Sequence, residues 1–175
     1  ALTTAVDVEV NIQTGASFDA ELLESLTSGF LSFDFDTSSI FVPNLSNIDD
    51  TPINVSRGAV LSLPNVTQYL LTEGTGSFGN LIRVDSENSV LDLSNLEVMT
   101  FNDPSNSTYN IRAQFAGGSV DLSGLTTINT MTDVTVNFIA DGAGSEIDLS
   151  SLTTFDMTRV QFMEQNGGVI TLPAP

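Results

Sequence analysis

No cysteine, histidine or lysine occurs anywhere in this chain. Without cysteine there is no disulfide framework, although disulfide-free secreted proteins are common enough in bacteria to leave the compartment open. Without lysine, the only basic side chains are 4 arginines, set against 22 Asp and Glu for a formal net charge of -18. Phosphate recognition needs clustered Lys and Arg to displace counter-ions, so nucleic acid is excluded as a partner, and an anionic membrane surface with it. Long apolar runs are missing too: none approaches the ~20 residues that span a bilayer, which argues against membrane insertion. The opening ALTTAVDVEV has neither the basic start nor the apolar run of a signal peptide. A chain starting at Ala1 without Met reads as a processed mature protein or as a piece cut from a longer one.

What is present is enough for a core. With 41% hydrophobic residues over 175 positions, the chain reads as a single domain, residues 1–175, and not as a disordered tail. Its acidity keeps it soluble in salt, attracts divalent cations and holds copies apart until something neutralises it. A salty or calcium-rich exterior suits such a surface.

One short phrase recurs. GSVDLSGLTT, from Gly118 to Thr127, returns as GSEIDLSSLTT, from Gly144 to Thr154. Written as apolar, variable, apolar, Ser or Pro, variable, apolar, the six-position motif fits Ile40 to Leu45, Leu61 to Val66, Leu91 to Leu96, Val120 to Leu125 and Ile147 to Leu152. A last, partial copy is Ile170-Thr171-Leu172-Pro173, and a weaker seventh is Phe18-Asp19-Ala20-Glu21-Leu22-Leu23. The Ser or Pro positions 43, 64, 94, 123, 150 and 173 lie 21, 30, 29, 27 and 23 residues apart. Self-similarity at such a period decides the architecture before any local propensity does.

Within each period the apolar residues alternate, which is the mark of strands. After the motif strand comes a short Thr-rich segment, such as Thr126 to Met131 or Thr153 to Thr158, and then a third alternating strand. Examples of the third are Ile111-Arg112-Ala113-Gln114-Phe115, Val134 to Phe138 and Arg159 to Phe162. Gly-rich or polar bends close the unit, as at Gly117-Gly118 and Gly167-Gly168. Three short strands and three bends in 21 to 30 residues predict a right-handed parallel β-solenoid, with coils stacked ~4.8 Å apart. A β-sandwich also has alternating strands, but it does not predict one motif in one register. The inward ladder is then Leu91, Leu93 and Leu96 under Val120, Leu122 and Leu125, under Ile147, Leu149 and Leu152. Outward loops at 73–77 and 101–107 absorb the variation in coil length.

Residues 38–175 carry the repeats, and residues 1–37 depart from them. Val6 to Ile12 alternates like a third strand. Ser17 to Leu26 reads as a short capping helix, with Ser17 as N-cap and Phe18, Leu22 and Leu26 on one face, or equally as a degenerate coil. A capping helix would cover the open first coil.

The phrases GGSVDLSGLTTI, GSEIDLSSLTTF and GGVITLP resemble repeats of large secreted or cell-surface parallel β-helix proteins of bacteria. The resemblance covers about residues 38 to 175. It implies an extracellular or cell-surface location and a structural or adhesive role. It brings no catalytic residue with it, because the recurring motif is a packing motif.

The chemistry candidates are few. Motif position 2 should face outward, and it stacks Asp92, Asp121 and Asp148 on three consecutive coils. Like charges ~4.8 Å apart repel by about 1 kcal/mol in water and more near a protein, so calcium on this ladder, or in the bends near Asp141 and Glu146, is a natural compensation. The bland alternative is an acidic ladder screened by salt. Arg83 and Arg112, each 8 residues before the next motif, should be neighbours, and beside Asp85 or Glu87 they read as a surface salt-bridge ladder. Polysaccharide-cleaving solenoids need a basic group or convergent carboxylates in a groove; with no His and no Lys, no enzyme activity is expected here, although a polysaccharide ligand stays open. Thr126 over Thr153 and Thr127 over Thr154 form ranks too short for an ice-binding plane. Asn44, Asn54, Asn65 and Asn106 open Asn-x-Ser/Thr triplets.

The two ends match in phase. The chain starts with a third-type strand carrying Val6, Val8, Val10 and Ile12, and stops just after a first-type strand carrying Ile170 and Leu172. With no polar cap evident at the C-terminal side, head-to-tail assembly of copies into filaments is expected, or continuation by the remainder of a longer solenoid.

Overall fold

The structure, a computed structural model, describes residues 2–34, 39–72, 79–104, 107–131, 133–156 and 158–174. Among them there are 19 short strands and no helix, and every strand pairing is parallel. Antiparallel sheets, which a sandwich requires, are absent from the described residues. The chain is a parallel β-solenoid.

Three strand types follow one another around each coil. First-type strands are Val60–Ser62, Val90–Asp92, Ser119–Asp121, Glu146–Asp148 and Val169–Thr171, stacked in one sheet, with Ser17–Asp19 and Ser39–Phe41 paired before them. Second-type strands are Gln68–Leu71, Val98–Phe101 and Thr127–Thr130, with Thr4–Val6 and Ser25–Thr27 paired at the N-terminal side. Third-type strands form the deepest stack, seven in order: Glu9–Ile12, Phe30–Asp34, Ile53–Ser56, Asn80–Asp85, Thr108–Gln114, Thr135–Asp141 and Val160–Gln165. Inward positions of all three types meet in one apolar core, in which Leu91, Leu93, Leu96, Val120, Leu122, Leu125, Ile147, Leu149 and Leu152 are each 3% exposed or less. The registers Leu61↔Leu91↔Val120↔Ile147↔Ile170 put like on like.

The motif is a strand followed by a tight turn. The position 6 amide donates to the position 3 carbonyl in every full copy: Leu23 to Ala20, Leu45 to Val42, Val66 to Leu63, Leu96 to Leu93, Leu125 to Leu122 and Leu152 to Leu149. Pro43 and Pro64 take the first inner turn position, where their fixed φ is favourable. Where that position is Ser instead, its N–H is free to donate, and it donates to the carboxylate two residues earlier. Ser94 bonds Asp92 at 3.0 Å, Ser123 bonds Asp121 at 2.9 Å and Ser150 bonds Asp148 at 2.9 Å. Proline has no N–H, and the copies with Pro at position 4 carry Phe41, Ser62 and Thr171 at position 2. The aspartates thus cap their own turns. At position 5, Asn44, Asn65 and Asn95 donate Nδ2–H to the carbonyls of Glu21, Pro43 and Pro64 in the preceding coil, tying turn to turn.

The N-terminal region obeys the same rule. Ser17–Asp19 pairs with Ser39–Phe41 in the register Phe18↔Ile40, which makes Phe18 to Leu23 a seventh copy of the motif and leaves no capping helix. A helix would need Leu22 inside; here Leu22 sits on the outside of the turn, 50% exposed, while Leu23 and Leu26 are each 1% exposed. The expected loop at 73–77 lies outside the described residues. That at 101–107 begins one residue late, because Phe101 ends a strand and is buried, and Asp103 is buried with the Tyr109 hydroxyl donating to it.

Between the third-type strand and the next motif the chain turns through left-handed backbone. Arg57, Ser86, Asn88, Phe115, Ala116 and Asn166 all have positive φ, as do Gly58, Gly117, Gly142, Gly144 and Gly167.

Candidate ligand-binding groove

The outer face of the third-type sheet is where polar side chains accumulate. One outward column reads Asn11, Ser32, Asn54, Arg83, Arg112, Ile139 and Met163 from coil to coil. The next reads Asp34, Ser56, Asp85, Gln114, Asp141 and Gln165. In-register stacking of β-strands makes such columns unavoidable, because every coil presents the same position to the same side.

An open groove of about 400 Å³ runs across the first half of this face, lined by Asn11, Gln13, Ser32, Asp34, Asn54, Ser56, Arg57, Arg83, Asp85, Ser86 and Phe115. Two ion pairs hold its walls. Arg83 Nη2 lies 2.6 Å from Asp85 Oδ2, and Arg57 Nη1 lies 3.4 Å from Asp34 Oδ2. Ser56 donates its hydroxyl to Asp34 Oδ1 at 2.5 Å, Asn54 Nδ2 donates to Ser32 Oγ at 3.3 Å, and beside the groove Arg112 Nη1 donates to Gln114 Oε1 at 3.2 Å. These bonds leave a remainder. Asn54 Oδ1, Arg83 Nε, Asp85 Oδ1 and Arg112 Nε are buried and have no protein partner, although Asp85 as a residue is only 7% exposed. Buried polar atoms without partners are costly and uncommon in folded proteins.

Phe115 stands at the rim. It is 64% exposed, and its backbone sits at φ 60. That conformation costs a bulky L-residue about 1–2 kcal/mol. In the next coil the corresponding place, whose amide makes the same bond to the following third-type strand, is taken by Gly142. Alternation along Ile111, Ala113 and Phe115 counts this ring as inward, so sequence reasoning missed it. The strand in fact ends at Gln114.

The residues singled out from the sequence fall in several places. Arg83 and Arg112 are direct neighbours, and Arg83 pairs with Asp85. Asp92, Asp121 and Asp148 stack in one outward column, each with one oxygen engaged by its turn. Asp92 also accepts from Ser62 Oγ at 2.7 Å; partial burial pushes its carboxyl up, and the hydrogen bonds from Ser62 and Ser94 together outweigh this and hold it below the usual carboxylate range. Asp141 accepts from Asn166 Nδ2 at 2.7 Å, and Glu146 is exposed on the neighbouring strand. Among the described residues no three carboxylates converge on one point. Of the residues assigned to assembly, Val10, Ile12 and Ile170 are part of the core, whereas Val6, Val8 and Leu172 are 56%, 41% and 44% exposed. Asn44 and Asn65 use their amides in the turn ladder, and Asn106 lies outside the described residues.

The fold and this face define a parallel β-solenoid with a polar outer groove. No family model, curated protein or solved structure matches the chain.

Proposed function

We propose that this protein is an extracellular, non-catalytic adhesive solenoid that holds a polyhydroxylated polymer, a polysaccharide strand, in the groove beside Phe115. One observation carries the reading: an open groove lined by hydrogen-bonding side chains of both kinds, Asn54, Ser56, Arg83 and Asp85 among them, also holds an exposed ring, Phe115, kept there at a backbone cost. A hydroxyl both donates and accepts, so a row of sugar hydroxyls suits a lining of mixed donors and acceptors while the apolar face of the sugar ring lies on Phe115. The outside location rests on the resemblance of the repeats to secreted β-helix proteins and on the acidic composition. Cleavage is not part of the reading. Both groove carboxylates, Asp34 and Asp85, are engaged by arginines, and the sequence holds no His or Lys to act as base.

Phe115→Gly separates binding from folding. Relief of the left-handed strain, offset in part by the extra chain freedom of glycine, leaves stability unchanged or higher by up to about 1 kcal/mol. Retardation in affinity gels cast with neutral and acidic polysaccharides, read beside melting curves, is the measurement. Binding by the native protein, weakened about tenfold or more in the variant at an undiminished melting temperature, is expected. A native protein retarded by no polysaccharide, or a variant that binds as well, ends this reading.

Two further parts belong to the proposal. Calcium serves as counter-ion to the Asp92, Asp121 and Asp148 column, so millimolar calcium raises the melting temperature more than monovalent salt of equal ionic strength, by mass action on the folded state. Equal curves with calcium and with chelator would remove the metal. At its ends the solenoid meets a further coil, from a second copy or from the remainder of a longer solenoid, through edges that expose Val6 and Val8 on one side and Leu172 on the other.

A further inference from the structure

The basic side chains are unevenly placed. Of the 4 arginines, Arg57, Arg83 and Arg112 stand in or beside the groove, on three consecutive coils, in a protein of net charge -18. The first two are each matched by a carboxylate, with Asp34 Oδ2 3.4 Å from Arg57 Nη1 and Asp85 Oδ2 2.6 Å from Arg83 Nη2. One coil further the pattern breaks. The registers Arg83↔Arg112 and Asp85↔Gln114 put an amide where the carboxylate stood, and Arg112 Nη1 donates to the neutral Gln114 Oε1 at 3.2 Å. Among the described residues Arg112 forms no ion pair. The carboxylates of the flanking coils are engaged elsewhere, Asp85 by Arg83 and Asp141 by Asn166 Nδ2.

Arginines at paired positions of neighbouring strands, ~4.8 Å apart at the backbone, repel each other, and the single carboxylate of Asp85 balances only one of them. Arg112 therefore leaves a local positive charge. At physiological salt, charges more than ~8 Å away are largely screened, so the sign at this spot weighs more with a bound group than the net charge of the whole surface does. Of the five N–H donors of the Arg112 guanidinium, Nε is buried and one on Nη1 serves Gln114. The remaining donors sit at the tip, in the fork geometry that grips two oxygens of one anionic group. Phe115 follows three residues later, about 10 Å along the chain, just past the end of the same strand, Thr108–Gln114.

Building on the polysaccharide reading of the groove, we propose that Arg112 selects an acidic polysaccharide: the sugar that lies on Phe115, or its neighbour in the polymer, sets an anionic substituent, a carboxylate or a sulfate ester, on the Arg112 guanidinium. The bound anion supplies the charge that Gln114 lacks. A neutral hydroxyl in the same place leaves the guanidinium uncompensated, so a neutral polymer is held by the groove and the ring alone.

The test compares one polymer with itself. Affinity gels are cast with a polyuronate or with its methyl ester, and in a second pair with a sulfated glucan or its unsulfated parent, at about 0.15 M salt. Chelator is present throughout, so that calcium cannot bridge two acidic surfaces. Native protein is expected to be retarded about tenfold more strongly by at least one charged polymer than by its neutral counterpart, and the pair that shows the difference tells carboxylate from sulfate. Arg112→Gln brings the charged and neutral forms within about twofold while still binding both. Arg159→Gln makes the same change of charge directly before the strand Val160–Gln165, outside the groove lining, and keeps the preference. Melting curves show that both variants are folded. Native protein that binds charged and neutral forms alike overturns the role of Arg112 and leaves the polysaccharide reading standing, and so does an Arg112→Gln protein that keeps the preference or an Arg159→Gln protein that loses it equally. Native protein retarded by none of the four polymers ends both.

Discussion

Leu122→Asp abolishes the cooperative melting transition, while Asp121→Asn, one residue away, leaves it within a few degrees of the native protein. Leu122 is 0% exposed and sits in the column that holds Leu93 and Leu149, so the new carboxylate would be buried without a partner. Such a burial costs about 5 kcal/mol or more, comparable to the whole stability of a domain of this size. Asp121 points outward and gives one oxygen to the Ser123 amide, a bond that asparagine reproduces with its own Oδ1. Asp121→Ala loses that bond and is expected to cost about 1 kcal/mol. Circular dichroism melting of the three variants decides the matter; an Asp121→Asn change more harmful than Leu122→Asp would contradict the inward and outward assignment.

The second large effect is expected at a glycine. A Cβ on Gly118 would lie 2.4 Å from the Val84 carbonyl oxygen and 3.0 Å from its carbon, both backbone atoms of the preceding coil that cannot swing aside. Gly118→Ala therefore forces two coils apart at a corner, at a cost of about 3 kcal/mol or more. Gly15 provides the contrast: nothing lies within 4 Å of its notional Cβ, and only its φ of +68 opposes substitution. Gly15→Ala is expected to cost about 1–2 kcal/mol. Urea midpoints for the pair test the ranking, and a Gly118→Ala protein as stable as Gly15→Ala would show that the corner can open.

Most of the fold was legible in the sequence because a stacked coil repeats its constraints. Alternating apolar residues, a turn that wants Pro or Ser, and a bend of small residues recur every 21 to 30 residues, and each recurrence independently supports the same register. The seventh copy at Phe18 to Leu23 was visible by this rule, but Ser17, Phe18, Leu22 and Leu26 also satisfy a helix. Only pairing with Ser39–Phe41 decides between them. The groove was less legible. Arg83 and Arg112 could be placed as neighbours by counting back from the motif, whereas Asp34, Ser56 and Asn54 belong to coils whose lengths differ, so that their meeting requires the actual register. Phe115 was misread because a backbone that turns left-handed ends the alternation one residue early. The aspartates of the motif attracted attention as a charge ladder, and the hydrogen bonds to Ser94, Ser123 and Ser150 supply a local reason for each.

The strictly parallel stacking also determines how the molecule answers to force. Each coil is bonded only to the coil before and the coil after, so tension applied between Thr4 at one end and Thr171 at the other pulls along the stack and opens one layer at a time, as a zipper does, without having to shear a whole sheet at once. Freed coils of 21 to 30 residues lengthen the chain by about 70 to 100 Å apiece. A solenoid built this way yields in small steps and dissipates a sudden load, and its stacked template is still present to guide the freed coil back when the load falls.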